Sequence, residues 1–346
     1  MVAPVHPAPR PRTLAGYLPQ LDGLRAVACL AVVLFHLDPH GQFSGGFIGV
    51  DIFFVLSAYL ITGVLCRNMT TSNTLELRSF YWNRFLRLAP ALGLFLLAYI
   101  LFAPLFWPGK PHIRDSVLVA LYITDYSYPL LDAPRYLRHT WSLAIEEKFY
   151  LLWPFALLAL LRAKHPVTLL VLVWLCLTLW RAVWTGQWEQ YYYRFDTRAT
   201  GLIAGAALFF ALRARPFRVP GALIVLAAAT LLAVAFNADI RHSAFVITLA
   251  ELAAVVLVAG LVTGGNGWWM PLLANPVSVF LGKLSYGIYL WHFPIALFLR
   301  SKMDFLPSLL STLGLSVILA ALSYWTVEKW ARNLKAQQQA PAPAFS

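Results

Sequence analysis

LDGLRAVACLAVVLFH, from Leu21 to His36, is the first apolar run of the chain, and it carries an acid, a base and an imidazole. Asp22 and Arg25 are close enough in sequence to share one face of a helix, whereas His36 follows Arg25 about three turns later. At about 1.5 Å per residue, Arg25 and His36 are separated by roughly 16 Å along the axis, about half of the hydrocarbon core of a bilayer. The two side chains are therefore too far apart to touch.

Two later apolar segments also carry ionisable residues. GGFIGVDIFFVLSAYLIT, at residues 45–62, contains Asp51. HTWSLAIEEKFYLLWP, at residues 139–154, contains the neighbouring carboxylates Glu146 and Glu147. Charged side chains in or beside a membrane are costly in free energy and suggest function by default. The three segments together predict a membrane enzyme.

Six motifs occur at separate places along the chain. They are Arg25 with His36 after it in the first membrane helix, GVDIFFVLSAYLIT, NRFLRLAP, TWSLAIEEKFYLLWP, the Asp-x-Arg of FDTRATGLIAG, and LGKLSYGIYLWHFP. They extend over residues 18–330, and in this order they resemble the acyltransferase-3 family of integral-membrane O-acyltransferases. The resemblance implies transfer of an acyl group, acetyl being the usual one in the family, from acyl-CoA to a hydroxyl across the membrane. We expect no appended soluble esterase-like domain of the kind found on some relatives.

The composition is that of a polytopic membrane protein. Of the 346 residues, 60% are hydrophobic and 12% are charged, against about 25% charged residues in an ordinary soluble domain. The net charge of +12 comes mainly from Lys and Arg in short loops beside apolar runs, a pattern that orients membrane proteins. We therefore expect a multi-pass protein of the cell membrane, of the bacterial inner-membrane type, with no nucleic-acid partner.

The apolar runs predict an all-α bundle of about ten transmembrane helices. The predicted spans are 21–37, 47–65, 88–107, 141–161, 167–184, 198–212, 221–236, 246–262, 281–299 and 306–326. The segment at 116–131 has about 16 residues, fewer than the roughly 20 of a span, so a re-entrant or non-crossing segment is expected near 115–131. With that choice the basic loops, including the polar segment at 66–87, fall inside, and both termini are cytoplasmic. The predicted organisation is a flexible cytoplasmic tail at 1–18, one acyltransferase membrane domain at 19–330 and a second flexible cytoplasmic tail at 331–346.

This topology divides the candidate site residues into two groups. The basic group, Arg25, Arg84 and Arg87, is predicted to converge on the cytoplasmic side. The guanidinium group pairs bidentately with phosphate, so these residues are candidates for binding acyl-CoA. The candidate catalytic group is predicted in the outer half of the membrane and consists of His36, Asp51, Glu146 and Glu147.

The expected reaction uses His36 as general base on the acceptor hydroxyl, because an imidazole accepts a proton near neutral pH. Glu146 or Glu147 is expected to orient His36, and the two point about 100° apart on a helix, so at most one is expected to face it. An acyl-histidine intermediate is an open variant. Candidate donors to the oxyanion are Ser142, Tyr150 and Tyr286. The acceptor classes left open are a glycan, a glycolipid and a macrolide-like secondary metabolite.

The remaining candidates have roles that the sequence leaves open. Asp196 and Arg198 are expected either to form a local ion pair or to contact the substrate. Ser285, Tyr289 and His292 form one polar stripe of a helix, which lines a channel or makes interhelical hydrogen bonds. The other candidates are Asp22 and Trp141. We expect no metal.

Two alternatives belong to other functional classes. A transporter or flippase of a polar or glycosylated substrate also places charged residues around a central cavity, but moves its substrate without consuming acyl-CoA. A membrane scaffold needs none of these polar residues. Family order of the motifs favours the enzyme.

Overall fold

The computed structural model describes residues 16–38, 41–72, 76–184, 186–238, 243–264 and 267–339, and these residues contain no strand. Most of the predicted tail at 1–18 and the last seven residues of the predicted tail at 331–346 lie outside the described residues. The prediction of an all-α fold is confirmed.

The chain forms sixteen α-helices within the described residues, several of them only one or two turns long. They are α1 (Pro19–Leu37), α2 (Gly49–Ser72), α3 (Leu77–Phe106), α4 (His112–Ala120), α5 (Thr124–Leu131), α6 (Trp141–Arg162), α7 (Pro166–Ala182), α8 (Trp188–Tyr193), α9 (Phe195–Arg198), α10 (Thr200–Ala214), α11 (Gly221–Asn237), α12 (Ser243–Val262), α13 (Trp269–Ala274), α14 (Pro276–Leu299), α15 (Phe305–Trp325) and α16 (Val327–Gln339).

Five helical segments of the described chain are long and apolar enough to cross a membrane. They are Pro19–Leu37, Gly46–Met69, Leu77–Phe106, Ala244–Val262 and Phe305–Lys335. The apolar helices α7, α10 and α11 are shorter than these, and α6 and α14 are long but carry charged residues inside them. The fold is that of a membrane protein, whereas ten spans and cytoplasmic termini stay predictions.

Several helix boundaries differ from the sequence-based expectation. The third predicted span, 88–107, begins eleven residues earlier, because α3 continues without a break through the arginine-rich turns that were predicted as a loop. At the other end of the chain, 331–339 is helical instead of a flexible tail, since α16 follows α15 almost directly. The predicted re-entrant segment forms α4 and α5, each too short by itself to cross a bilayer.

Glycine contacts bring α1, α2 and α14 into close packing. A Cβ atom at Gly282 of α14 would lie 1.9 Å from the carbonyl oxygen of Asp22 in α1. A Cβ atom at Gly49 would lie 2.2 Å from the carbonyl oxygen of Ala28. Small residues at such positions let helix backbones approach closely in membranes. The result is that α14 runs parallel to α1 along its length, with α2 antiparallel on another side.

A second group of helices packs on α2. Helix α10 contacts both α2 and α7, and α12 contacts α2 and α11. At Gly205 of α10, a Cβ atom would lie 2.1 Å from the carbonyl oxygen of Val55. This part of the fold holds buried charged residues, whereas two adjoining cavities lie on the side of α2 that faces α1, α3, α6 and α14.

Candidate active site

Two adjoining cavities lie between α1, α2, α3, α6 and α14. The inner chamber has a volume of about 120 Å³ and the vestibule a volume of about 460 Å³. Arg25, Arg84 and Arg87 line both, which brings together the three basic residues that the sequence assigned to acyl-CoA binding. The chain therefore builds a strongly basic pocket that continues from a wide opening into a narrower chamber.

Other predicted residues line the same two cavities. Glu146, Tyr150 and Tyr286 line both of them. Ser142 and Ser285 line the inner chamber, and Asp22 lines the vestibule. At the vestibule, partial desolvation and a hydrogen bond to Asp22 raise the pKa of Tyr17 to about 12, so its hydroxyl stays protonated and donates to that carboxylate at 2.5 Å.

Both glutamates of the EEK sequence lie on the side of the arginines. Glu147 Oε1 accepts a hydrogen bond from Arg84 Nε at 3.2 Å, and the Arg84 guanidinium also stacks on the ring of Tyr150. Arg25 Nε donates to Ser285 Oγ at 3.3 Å across the contact between α1 and α14. The glutamates thus help to shape the basic pocket.

The far end of the inner chamber is formed by a pair of hydroxyl groups. Ser142 Oγ and Tyr289 Oη are 2.6 Å apart, and Tyr289 donates to the carbonyl oxygen of His139 at 2.5 Å. Ser142 is in the first turn of α6 and Tyr289 is in α14, so the pair joins two helices. Beyond this pair lie three histidines.

The histidine cluster consists of His36, His139 and His292. The rings of His36 and His292 are 5.1 Å apart, and those of His139 and His292 are 5.6 Å apart. His36 is half-buried, whereas His139 and His292 are buried. The Tyr289 ring is 5.4 Å from both buried imidazoles, so it lies between the inner chamber and the cluster.

The contact of His36 differs from the one expected from the sequence. Among the described residues no carboxylate hydrogen-bonds its ring; instead its Nδ1 is 2.9 Å from Nε2 of His292. The physical reason is that α3 begins earlier than predicted, so that Arg84 lies within this helix and next to Glu147. A buried carboxylate is stabilised more by a guanidinium group than by a neutral imidazole. Neither Glu146 nor Glu147 hydrogen-bonds the His36 ring, and in this the structure differs from the prediction.

Asp51 lies away from both cavities, in a buried ion pair. Its Oδ1 is 2.9 Å from Arg198 Nη1, and both side chains are fully buried. The Arg198 guanidinium also lies over the rings of Trp141 and Tyr192, at 5.3 and 5.0 Å from their centroids. Trp141 and Arg198 therefore belong to the surroundings of Asp51, and a catalytic role of Asp51 stays a prediction.

The local ion pair expected between Asp196 and Arg198 is wrong. Asp196 Oδ2 pairs with Arg194 at 2.9 Å and also accepts a hydrogen bond from Trp180 Nε1 at 3.1 Å. On α9 the two side chains point different ways, because residues two apart do not face each other on a helix.

Sequence reasoning passed over two parts of this arrangement. His139 directly precedes TWSL but was not singled out, and its Nδ1 is buried with no hydrogen-bond partner among the described residues. A second buried ion pair joins Arg181 to Glu251 at 3.5 Å, beside the Asp51 pair. Glu251 is the only charged residue in the apolar run at residues 243–262, and this is the signal that could have identified it.

Comparison with known proteins identifies the family. A family model described as "Acyltransferase domain" matches residues 18–328, nearly the whole of the chain. The chain belongs to this acyltransferase family. The match confirms the resemblance deduced from the motifs, and with it the class of enzyme.

Curated relatives of this acyltransferase are O-acetyltransferases. The chain is 33% identical over 312 residues to the peptidoglycan O-acetyltransferase OatA of Listeria monocytogenes, covering 81% of this chain and 49% of that protein. It is 31% identical over 348 residues to a putative O-acetyltransferase of Staphylococcus aureus, covering 90% and 57%. The O-acetyltransferase OatA of Staphylococcus aureus is 30% identical over 315 residues, covering 82% and 51%. The chain thus spans about half the length of these relatives. No solved structure matches it significantly.

Proposed function

We propose that this acyltransferase moves an acetyl group from acetyl-CoA to a hydroxyl of a carbohydrate acceptor at the cell membrane. The observation that carries the proposal is the course of the cavity: it begins among three arginines and ends at a hydroxyl pair that contacts a histidine cluster. Such a path suits a long donor with phosphates at one end and a reactive thioester at the other.

Binding of the donor follows from charge and width. Coenzyme A carries several phosphate charges, and the arginine guanidinium is the side chain that best matches phosphate oxygens. The vestibule, with Arg25, Arg84 and Arg87 on its walls, is wide enough to hold the nucleotide end. The inner chamber is narrower, as suits the pantetheine arm, and in this proposal the thioester end enters first and stops at the far end, beside Ser142 and Tyr289.

Acyl transfer needs a base, an oxyanion site and a leaving group. In the proposed step His36 takes the proton of the acceptor hydroxyl while that oxygen attacks the thioester carbonyl. Ser142, Tyr150 and Tyr286, which line the inner chamber, are the candidate donors to the oxyanion. The carbon–sulfur bond then breaks, and the coenzyme A thiolate leaves with the proton that His36 had taken.

The acceptor class is supported by the relatives. The Listeria relative is named for peptidoglycan, a polymer of sugars. A sugar hydroxyl presented from the side opposite to the vestibule would reach His36, which lies next to the last residue of α1. With the vestibule on the cytoplasmic side, donor and acceptor approach the same histidine cluster from opposite faces of a multi-pass protein.

The test is metabolic labelling of cells that make wild-type protein, His36→Ala or the control His165→Ala at equal levels in the membrane. His165 is exposed before α7 and away from both cavities. Cells receive isotopically labelled acetate, and acetyl esters of cell-wall glycans, lipids and secreted metabolites are measured by mass spectrometry. Loss of a general base lowers a rate about 10²- to 10⁴-fold.

We expect a labelled ester with wild type and His165→Ala, and none with His36→Ala. An equal amount of ester with His36→Ala would refute the role of His36. If wild type produces no new ester and the purified protein does not bind acetyl-CoA, the enzyme proposal fails and the transporter interpretation replaces it.

A further inference from the structure

The closest polar contact of the His36 side chain is with another imidazole. His36 Nδ1 lies 2.9 Å from His292 Nε2, a distance typical of a hydrogen bond. A neutral imidazole has one nitrogen that donates and one that accepts, so the direction of this bond decides which nitrogen of His36 keeps a free lone pair.

The other nitrogen of His292 fixes that direction. Its Nδ1 is 2.7 Å from the carbonyl oxygen of Tyr289 and 3.2 Å from that of Ile288, both one turn earlier on α14. Carbonyl oxygens only accept hydrogen bonds, so Nδ1 of His292 must carry the hydrogen. A neutral His292 then presents the lone pair of Nε2, and His36 must donate to it from Nδ1.

We propose that His292 is a positioning residue for acyl transfer: it holds His36 in the tautomer whose Nε2 is free to take the proton of the acceptor. The inference rests on the proposed function, because it assigns His292 a part in the same reaction. His292 fills the place that sequence reasoning gave to a carboxylate. It orients the base without adding a negative charge to the cluster.

Other contacts hold the two rings in register. Arg300 Nη1, just beyond α14, donates to the carbonyl oxygen of His36 at 2.7 Å. The Phe293 ring contacts His36 edge-to-face, with centroids 4.7 Å apart. The end of α1 therefore contacts α14 through both the carbonyl oxygen and the ring of His36, and these contacts limit rotation of that ring.

When His36 accepts a proton, this arrangement stabilises the product of that step. The imidazolium has hydrogens on both nitrogens, and its Nδ1 hydrogen still points at the lone pair of His292. A hydrogen bond from a charged donor is stronger than one between neutral groups. The interaction thus strengthens as the hydroxyl of the acceptor loses its proton.

Two substitutions separate positioning from packing. His292→Gln puts an amide oxygen near the place of Nε2, where it accepts the hydrogen bond of His36. His292→Asn is shorter: its amide can replace Nδ1 and donate to the carbonyl oxygen of Tyr289, but it does not reach His36. A purely structural role of His292 in α14 is served better by Asn, whereas positioning is served only by Gln.

The first readout is the rate at which labelled acetyl ester appears in cells with equal amounts of each variant. We expect His292→Gln within about 3-fold of wild type and His292→Asn about 10- to 100-fold slower, since a misplaced base loses part of the general-base contribution. Equal rates for the two variants, or a faster Asn variant, would overturn the inference.

The second readout does not depend on the proposed function. Nitrogen-15 NMR of histidine-labelled protein in membranes distinguishes the two tautomers, and the signals of His36 are assigned from their absence in His36→Ala. We expect Nδ1–H for His36 in wild type and in His292→Gln, and a mixture of tautomers in His292→Asn. Nε2–H in wild type would overturn the inference even if the enzyme is active. If no ester forms with wild type, the acyl-transfer function itself fails, and the positioning role fails with it.

Discussion

Loss of one charge from the buried cluster around Asp51 should destabilise the protein strongly. Asp51 and Arg198 are fully buried and form an ion pair, yet neither carboxylate oxygen has a partner that satisfies hydrogen-bond geometry among the described residues. Arg198→Met keeps much of the side-chain volume but leaves the buried Asp51 carboxylate without its ion-pair partner. The prediction is that Arg198→Met folds with a much smaller free energy of unfolding than wild type.

The size of the effect follows from the distance. At 2.9 Å and an effective dielectric constant of about 20, the Coulomb attraction between Asp51 and Arg198 is about 6 kcal/mol. Removing one partner of a buried pair costs about 3–5 kcal/mol, because the other charge stays desolvated. Removing both, as in Asp51→Asn with Arg198→Met, leaves no unpaired charge at these two positions. The double variant should therefore lose about 1–3 kcal/mol less than the sum of the two single variants.

The assay is equilibrium unfolding of purified protein in mixed micelles, with Arg181→Met as a matched control. Arg181 pairs with Glu251, but that carboxylate also accepts hydrogen bonds from Thr200 and from Trp174 Nε1. Arg181→Met should therefore cost less than Arg198→Met. Wild-type stability of Arg198→Met would refute the reasoning.

The same variants also test the catalytic role that the sequence suggested for Asp51. If Asp51→Asn with Arg198→Met still folds and forms the labelled ester, Asp51 is structural. A double variant that is stable but forms no ester would instead support a catalytic role.

Two further predictions concern the helix contacts and the donor site. Gly282→Ala should disrupt the contact of α14 with α1, because its Cβ would lie 1.9 Å from the carbonyl oxygen of Asp22; thermal unfolding should show a loss of stability that Gly314→Ala, with nothing within 4 Å, does not show. A Gly282→Ala variant as stable as Gly314→Ala would contradict the close packing of these helices. Arg25→Gln should weaken binding of acetyl-CoA to the purified protein about 10- to 100-fold, since a charge-assisted hydrogen bond contributes about 1.5–3 kcal/mol. The exposed Arg215→Gln is the control for Arg25→Gln, and an equal dissociation constant for the two variants would place the phosphates elsewhere.

Much of the basic pocket could be predicted from the sequence. The positions of Arg25, Arg84 and Arg87 relative to the apolar runs indicated that they lie near one end of the helices, where they line a common cavity. Local sequence information is enough for this, because the distance of a residue from the boundary of its apolar run indicates at which end of the helix the residue lies. The order of motifs was likewise enough to identify the family.

The partners of the buried polar groups could not be predicted in the same way. Glu146 or Glu147 was expected to orient His36 because all three were placed in the outer half of the membrane, but the early start of α3 brings Arg84 to Glu147. Likewise, Asp196 was paired with its close neighbour Arg198, while the structure pairs Arg198 with Asp51. Sequence proximity is a poor guide where several charges compete for partners across helices.

The sequence by itself determined a helical membrane protein, its family and the three arginines of the basic pocket, because composition, periodicity and motifs are local properties. Only the tertiary structure decided that His36 faces His292, 256 residues later in the chain. That contact depends on the parallel packing of α1 and α14, which is made possible by the missing side chain at Gly282. Which residues meet across such a contact is set by helix register and close approach, and neither is encoded in any single segment.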